Sequence, residues 1–364
     1  MITHIVGARP NFMKAAPVRD ALEAVGFAQR LVHTGQHYDR NMSEVFFDEL
    51  GIPEPDTNLG IGSDTHARQT AATMVALEDE FRSTPPTLVL VYGDVNSTVA
   101  ASLVAAKLGL PIGHVEAGLR SRDRRMPEEV NRLLTDQLAS LLFTPSVEGN
   151  ENLAREGVDP SKVHFVGNVM IDTLVRLRPR AERAWQGLSQ EHKLCDRGYT
   201  LVTLHRPSTV DDPDVLRAVL GKLNSIAERS PVLFPLHPRT RQRIADAGLS
   251  ESGPITYIDP VGYLDFLALQ AHSQLVITDS GGVQEETTFI GVPCLTVREN
   301  TERPVTVTIG TNRLVGFDID LLGRLVEEIQ RGEAARGGCP ILWDGRAGER
   351  IAGVLLDWAD GRRG

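Results

Sequence analysis

The chain has 364 residues, 41% hydrophobic and 24% charged, which is the composition of a globular protein and excludes a disordered one. A formal net charge of -10 argues against a nucleic-acid partner, which calls for a basic excess, yet allows a small anionic ligand at a locally positive site. The length exceeds the ~250–300 residues at which single cores stop growing, so two domains are expected.

The first apolar run, Ile2–Val6, predicts a strand. It ends in Gly7-Ala8-Arg9-Pro10-Asn11-Phe12-Met13-Lys14, where Arg9 and Lys14 flank a helix start whose free amides also favour anions. A solvated turn with two surface cations accounts for the same spacing. A strand over Arg30–His33, a helix over Gln69–Phe81 and a strand over Thr87–Tyr92 follow. Gly93-Asp94-Val95-Asn96 then leads into a helix over Ser97–Leu108, and Asp94 or Asn96 is either its cap or a chemical group. The next strand, Pro111–Val115, runs into His114-Val115-Glu116-Ala117-Gly118-Leu119-Arg120. A carboxylate at Glu116 is costly unless paired or wet, and Arg120, Arg122, Arg124 and Arg125 are at hand to pair with it. Pro127-Glu128-Glu129 opens a helix over Glu128–Ala139, where first-turn acids suit the helix dipole. Asp94, Glu116 and Glu128 nevertheless all fall at strand ends or helix starts that could share one rim, where three carboxylates supply a general acid and base. Strands over Leu141–Phe143 and Val163–Val166 complete this set.

A boundary is expected between Val166 and Tyr199, where Arg176–Trp185 is basic and helical and Gly187–Gly198 is polar and turn-rich. Five more strands follow, over Thr200–Leu204, Val232–Leu236, Ile255–Ile258, Leu275–Thr278 and Cys294–Val297, with helices over Val215–Glu228 and Leu322–Gln330 and a last helix over Ala347–Asp360. His205-Arg206 and His237-Pro238-Arg239 repeat a strand–His–Arg arrangement. Asp211-Asp212-Pro213-Asp214 reads as a helix start with proline inside it, so no metal is assigned. After Leu275–Thr278 comes Asp279-Ser280-Gly281-Gly282, small residues that let bare amides approach a phosphate. Glu286 lies more than a helical turn further on, set back so as to accept hydrogen bonds from ribose hydroxyls; a capped helix with surface acids is the plainer alternative. Arg298 and Arg303 add cations beyond the next strand.

Strand–helix alternation of this kind predicts parallel sheets covered by helices on both faces, with ligands outside the carboxyl ends of the strands. Cys195, Cys294 and Cys339 have no paired spacing, which implies neither a disulfide framework nor a zinc site and fits a reducing compartment. No apolar run approaches the roughly 18 residues of a membrane span, and the N-terminus lacks the pattern of a signal peptide. A cytoplasmic protein without a membrane partner is expected.

Taken together and in order, these motifs resemble the non-hydrolysing UDP-N-acetylglucosamine 2-epimerases. The resemblance runs from Gly7-Ala8-Arg9-Pro10 through Thr34-Gly35-Gln36-His37, Gly93-Asp94, His114 to Arg120, Pro127 to Arg132, His205-Arg206, Thr278 to Gly282, Gln284-Glu285-Glu286 and Thr301-Glu302-Arg303-Pro304 to Asp344-Gly345-Arg346-Ala347. It implies an α/β fold of two Rossmann-like domains facing across a cleft, the glycosyltransferase-B architecture. Residues 1–170 would form a first domain with the catalytic carboxylates, 171–346 a UDP-binding domain, and 347–364 a helix packing back on the first domain. It also implies reversible C2 epimerisation of UDP-N-acetylglucosamine to UDP-N-acetylmannosamine, without a cofactor, by a homodimer. Carried over by motif, Asp94, Glu116, Glu128 and His205 are catalytic, and Arg9, Lys14, Ser280, Gly281, Gly282, Glu286 and Arg303 bind substrate. Some bacterial members bind a second UDP-N-acetylglucosamine as an activator, and Gln36, Arg68, Gln69, Arg206 and His237 match the motifs involved. One departure touches that site: after His205-Arg206 the family often carries Arg or Pro and then Glu-Asn, whereas Pro207-Ser208-Thr209 follows here and the Glu is absent. The chemistry implied is loss of UDP to 2-acetamidoglucal and its re-addition. The nearest alternative is 2-epimerisation of UDP-2,3-diacetamido-2,3-dideoxy-glucuronic acid; a glycosyltransferase of the same fold and a non-catalytic sugar-nucleotide sensor are the others.

Overall fold

The computed structural model describes residues 1–35, 51, 54–333 and 337–361. Gln36 and the side chain of Arg9 fall outside that set. The chain divides into two units, the first formed by Met1–Arg176 with the segment from Ile341 onward, the second by Leu177–Pro340.

Strands buried along their whole length need helices on both faces and neighbours on both sides, which a parallel sheet supplies. The first unit builds one from β1 (Ile2–Val6), β2 (Gln29–His33), β3 (Thr57–Asn58), β4 (Leu88–Tyr92), β5 (Ile112–Val115), β6 (Leu141–Thr144) and β7 (Val163–Phe165), in the order β3-β2-β1-β4-β5-β6-β7. All pairs are parallel, with Ile5 in register between Val32 and Val91. The helices are α1 (Arg9–Ala24), α2 (His66–Ser83), α3 (Asn96–Lys107), α4 (Pro127–Leu138), α5 (Val147–Arg155) and the start of α6 (Val169–Glu191). Ile5, Val32, Leu77, Val89, Val91, Val104 and Leu142 share the core between sheet and helices.

In the second unit the elements are β8 (Thr200–Thr203), α7 (Pro207–Val210), α8 (Pro213–Ala227), β9 (Val232–Pro235), α9 (Pro238–Asp246), β10 (Thr256–Ile258), α10 (Tyr263–Ala271), β11 (Leu275–Thr278), α11 (Gly281–Ile290), β12 (Cys294–Thr296), α12 (Pro304–Thr308), β13 (Asn312–Leu314) and α13 (Ile319–Gln330). Its sheet is parallel throughout, in the order β10-β9-β8-β11-β12-β13. Val202, Phe234, Ile277 and Leu295 from the strands pack with Leu216, Leu223, Leu322 and Val326 from the helices. In both sheets the strand order reverses once, between β1 and β4 and between β8 and β11, and a ligand crevice is expected outside the strand ends at such a point.

The last helix, α14 (Ala347–Asp360), packs on α1 within the first unit, as the resemblance implied. Pro17 inside α1 has no N–H for the Met13 carbonyl, and the Thr173 hydroxyl donates to that carbonyl instead at 2.6 Å. Asp172, beside it, accepts the first free amides of α14, Ala347 N at 3.1 Å and Gly348 N at 2.7 Å. Gly348 is required there, because a Cβ would stand 2.6 Å from the Pro17 carbonyl oxygen.

Two strands escape the sequence pattern, β3 and β13. They are two and three residues long, lie at sheet edges and carry polar residues, so they show no apolar run. The expected turn-rich stretch from Gly187 is helical as far as Glu191, a correction that follows from α6 being long enough to carry one glycine. Among the described residues no helix is long and apolar enough to cross a membrane, and no group of three His, Cys, Asp or Glu side chains is placed to hold a metal.

Candidate active site

At the reversal in the first sheet, β1 hands over to α1 through Gly7 and Ala8, whose amides both donate to Asn11 Oδ1, at 3.1 and 3.0 Å. Asn11 Nδ2 donates to the Tyr92 carbonyl at 2.8 Å and so ties the end of β1 to the end of β4. One helical turn on, the buried Lys14 ammonium forms an ion pair with Glu116 Oε2. The arginines after Glu116 were expected to supply that charge, and the structure corrects this. Arg120 goes to Asp136 and Glu156, Arg122 to Asn152 and Arg125 to Asp123. Gly93 holds a positive φ of 62° against the pair, where a Cβ would come within 2.7 Å of Lys14 Nζ. Glu116 itself has φ 72°, a strained value for a residue with a side chain.

A buried chain of charges holds this turn from behind. His114 Nε2 lies 2.8 Å from the Gly93 carbonyl oxygen and its Nδ1 2.6 Å from Asp136 Oδ1. Asp136 Oδ2 accepts from Gly118 N at 3.1 Å and from Arg120 at 2.7 Å. Burial alone would push the Asp136 carboxyl up; the His114 ring and the Arg120 guanidinium outweigh it and hold it below its ordinary range.

Asp94 follows Gly93 and stays partly exposed, 3.5 Å from the buried Arg132 guanidinium. Its carbonyl accepts from Asn131 Nδ2 at 2.8 Å. The two acids that open α4 differ in burial. Glu129 is buried and folds the preceding loop by accepting from Ser121 N, Ser121 Oγ and Arg122 N, at 2.9, 3.1 and 2.9 Å. Glu128 is only half-buried. The structure therefore brings Lys14, Glu116, Asp94 and their supports to one strand-end turn.

The reversal in the second sheet is organised around Asp279, which is fully buried. It accepts the backbone amides of His205, at 3.0 and 3.1 Å, and Arg206, at 2.8 Å, and its Oδ1 lies 3.4 Å from His205 Nδ1. Burial lowers the His205 ring below its ordinary range, opposed by Asp279 and reinforced by Arg206, His237 and Arg239. Ser280 caps α11 without using its hydroxyl on the helix, and its amide donates to Thr278 Oγ1 at 3.0 Å. The first amides of α11, at Gly281 and Gly282, receive no cap from the Ser280 side chain, and a helix start of this kind favours an anion. Gly281 has no room for a Cβ because Arg303 and Glu302 lie against it, whereas Gly282 faces open space.

Arg303 is held by Glu302 and, at 2.9 Å, by Glu285, while Glu302 also takes Arg298 at 2.8 Å. This alternating, buried set of two arginines and two glutamates supports that helix start from beneath. Glu286, set back on α11 and 4% exposed, is pushed up to about 7 by burial, with the Tyr263 hydroxyl, donating to Oε1 at 2.9 Å, working in the other direction.

Four of the residues that the resemblance ties to an activator lie among the described ones. Gln69 is buried, taking a hydrogen bond from Asn96 at 2.8 Å and giving one to the Gly62 carbonyl at 3.1 Å. Arg68 is exposed, Arg206 is anchored through its amide on Asp279, and exposed His237 caps α9 through Nδ1. Asn11, His114, Asp136, Tyr263 and Asp279 are the residues that sequence reasoning did not select. Each acts on a partner distant in the chain, Asn11 on the Tyr92 carbonyl, but Asn11, as the third residue of α1, could also have been found as a polar side chain able to reach back to the free amides.

Paired reversal points on two doubly wound parallel sheets are the architecture of glycosyltransferase-B-like enzymes. The family model for UDP-N-acetylglucosamine 2-epimerase matches residues 20–356. The UDP-N-acetylglucosamine 2-epimerase of Methanocaldococcus jannaschii is 41% identical over 96% of this chain and 97% of its own. The UDP-2,3-diacetamido-2,3-dideoxy-D-glucuronate 2-epimerase of Pseudomonas aeruginosa is 44% identical over 97% and 99%. The crystal structure of the M. jannaschii enzyme in complex with UDP-GlcNAc and UDP superposes with a TM-score of 0.90 at 39% identity, over 98% of this chain and 99% of that one. The chain belongs to the UDP-N-acetylglucosamine 2-epimerase family and is an epimerase of UDP-sugars.

Proposed function

We propose that the enzyme interconverts UDP-N-acetylglucosamine and UDP-N-acetylmannosamine by eliminating UDP and adding it back. The C2 hydrogen of the sugar is not beside a carbonyl, so direct deprotonation is hard. Breaking the bond from C1 to the UDP oxygen builds positive charge at C1 and acidifies C2. A carboxylate then takes the C2 proton anti to the departing UDP, giving 2-acetamidoglucal. Return of UDP to C1 with protonation of C2 from the other face gives the epimer. The site must therefore hold a departing diphosphate and keep carboxylates near C2.

The observation that carries this reading is the buried Lys14–Glu116 pair wedged against Gly93, with Asp94 next in the chain. In this reading Asp94, Glu116 and Glu128 carry the proton transfers, and Arg9 and Lys14 offset the charge that gathers there. Ser280, Gly281 and Gly282 take the diphosphate on bare amides, Arg303 shapes that seat, and Glu286 accepts the ribose hydroxyls. His205, whose ring burial lowers below its ordinary range, steadies the leaving diphosphate as a hydrogen-bond donor or acts as an acid toward it.

A second reading, 2-epimerisation of UDP-2,3-diacetamido-2,3-dideoxy-glucuronic acid, is favoured by the 44% identity to the Pseudomonas aeruginosa enzyme. Supplying each sugar nucleotide separately and following the anomeric and C2 protons by NMR decides between them. The first reading expects turnover of UDP-N-acetylglucosamine; turnover of the diacetamido-glucuronate alone overturns it.

We also infer that the enzyme pairs with itself through the outer face of α2, α3 and α4. A groove of about 510 Å³ there is lined by Met74, Val99, Leu103, Val130 and Leu134. Val130 and Leu134 are 40% and 45% exposed there, apolar surface that a second copy would cover.

A further inference from the structure

The Glu286 carboxyl does not stand alone, and its setting says how it would read a sugar. Tyr263 and Gln270 lie seven residues apart on α10, hence on one face of that helix, and that face packs against α11, which carries Glu286. The Tyr263 hydroxyl donates to Oε1 of Glu286 at 2.9 Å. The fully buried Gln270 amide lies close enough to favour the ionised carboxyl, though it makes no hydrogen bond of good geometry. Among the described residues no hydrogen bond is made to Oε2.

We propose that Tyr263 is a positioning residue for nucleotide selection: by occupying Oε1 it fixes the plane of the Glu286 carboxylate and leaves Oε2 for the ribose hydroxyls. This rests on the assignment of Glu286 to the ribose made above. The physical need for such a device is plain, since a buried carboxyl that is not supported by donors tends to keep its proton. A protonated or freely rotating carboxyl offers one poor acceptor, whereas a charged one fixed in plane accepts strongly, as charge-assisted hydrogen bonds do. Tyr263 itself is held in its neutral, donating form by burial beside Glu286, which raises its phenol well above the ordinary value.

The test uses the full-length enzyme at pH 8.5, above the value of about 7 to which burial pushes Glu286, and two ligands, UDP and 2′,3′-dideoxy-UDP, titrated by calorimetry against wild type, Tyr263→Phe and Glu286→Gln. Wild type is expected to prefer UDP by about tenfold or more, the worth of hydrogen bonds to a charged group. Tyr263→Phe is expected to cut that preference to within about threefold by weakening UDP alone, with dideoxy-UDP bound as before. A merely structural tyrosine would weaken both ligands alike, and that result overturns the proposal, as does an unchanged preference in Tyr263→Phe beside a Glu286→Gln that has lost it. If Glu286→Gln keeps the preference, the ribose assignment itself fails and the proposal with it. The unfolding midpoint of each variant, measured alongside, separates a loss of selection from a loss of fold.

Discussion

Glu116 keeps a left-handed backbone, a buried carboxylate and a lysine partner at the same time, an arrangement that costs folding energy unless each part supports the others. Gly93 is the part that leaves room. Replacing it with alanine adds a Cβ 2.7 Å from Lys14 Nζ in a φ 62° conformation, so the pair must separate or the turn must move. We expect Gly93→Ala to lower kcat by about a hundredfold or more, the usual penalty for a small misplacement of reacting groups. Its stability cost should be only about 1–2 kcal/mol, set by the backbone strain. Steady-state kinetics beside a denaturation curve check both; near wild-type kcat would show that the pair is not needed for turnover. Glu116 was legible in the sequence because a carboxylate at the end of an apolar strand demands an explanation. Its partner was not, since Lys14 lies 102 positions away and nearer arginines offered themselves first. Asp279 was hidden for the same reason, 74 positions from the His205 amide it holds.

The docking of α14 on α1 turns on Asp172, whose carboxyl is pushed up to about 6 by burial even though two amides of α14 favour its ionised form. The folded chain therefore holds this proton more tightly than the unfolded chain, where the group titrates near 3.8. The sign follows: this group's contribution to stability is greatest at acid pH and falls as pH rises through about 6. Asp172→Asn removes the titration, so the stability difference between wild type and variant should shift against wild type by about 1.5 kcal/mol from pH 5 to pH 7.5. Urea denaturation at the two pH values measures it, and a difference independent of pH would contradict it. At this scale the long elements were readable from their periodicity. The edge strands β3 and β13 were not, because two or three mostly polar residues at a sheet edge gain their pairing from neighbours rather than from a pattern of their own.

The whole chain repeats one plan twice, a parallel sheet with a reversal in strand order and polar residues gathered beside it. That plan was legible because alternating apolar runs and amphipathic stretches permit few other folds. The proposed pairing of the enzyme with itself is tested at this scale too. Leu134→Glu places a charge on the apolar groove of the first unit and should give a monomer in sedimentation, whereas an intact dimer would assign the contact to another face. In the proposed mechanism the C2 hydrogen leaves as a proton while UDP is detached. Equilibrating UDP-N-acetylglucosamine with the enzyme in deuterium oxide and reading C2 by proton NMR tests it most directly. Proton transfer at C2 gives UDP-N-acetylmannosamine carrying deuterium there, with progressive loss of the C2 proton from the remaining substrate; product that keeps its original C2 hydrogen rules the mechanism out.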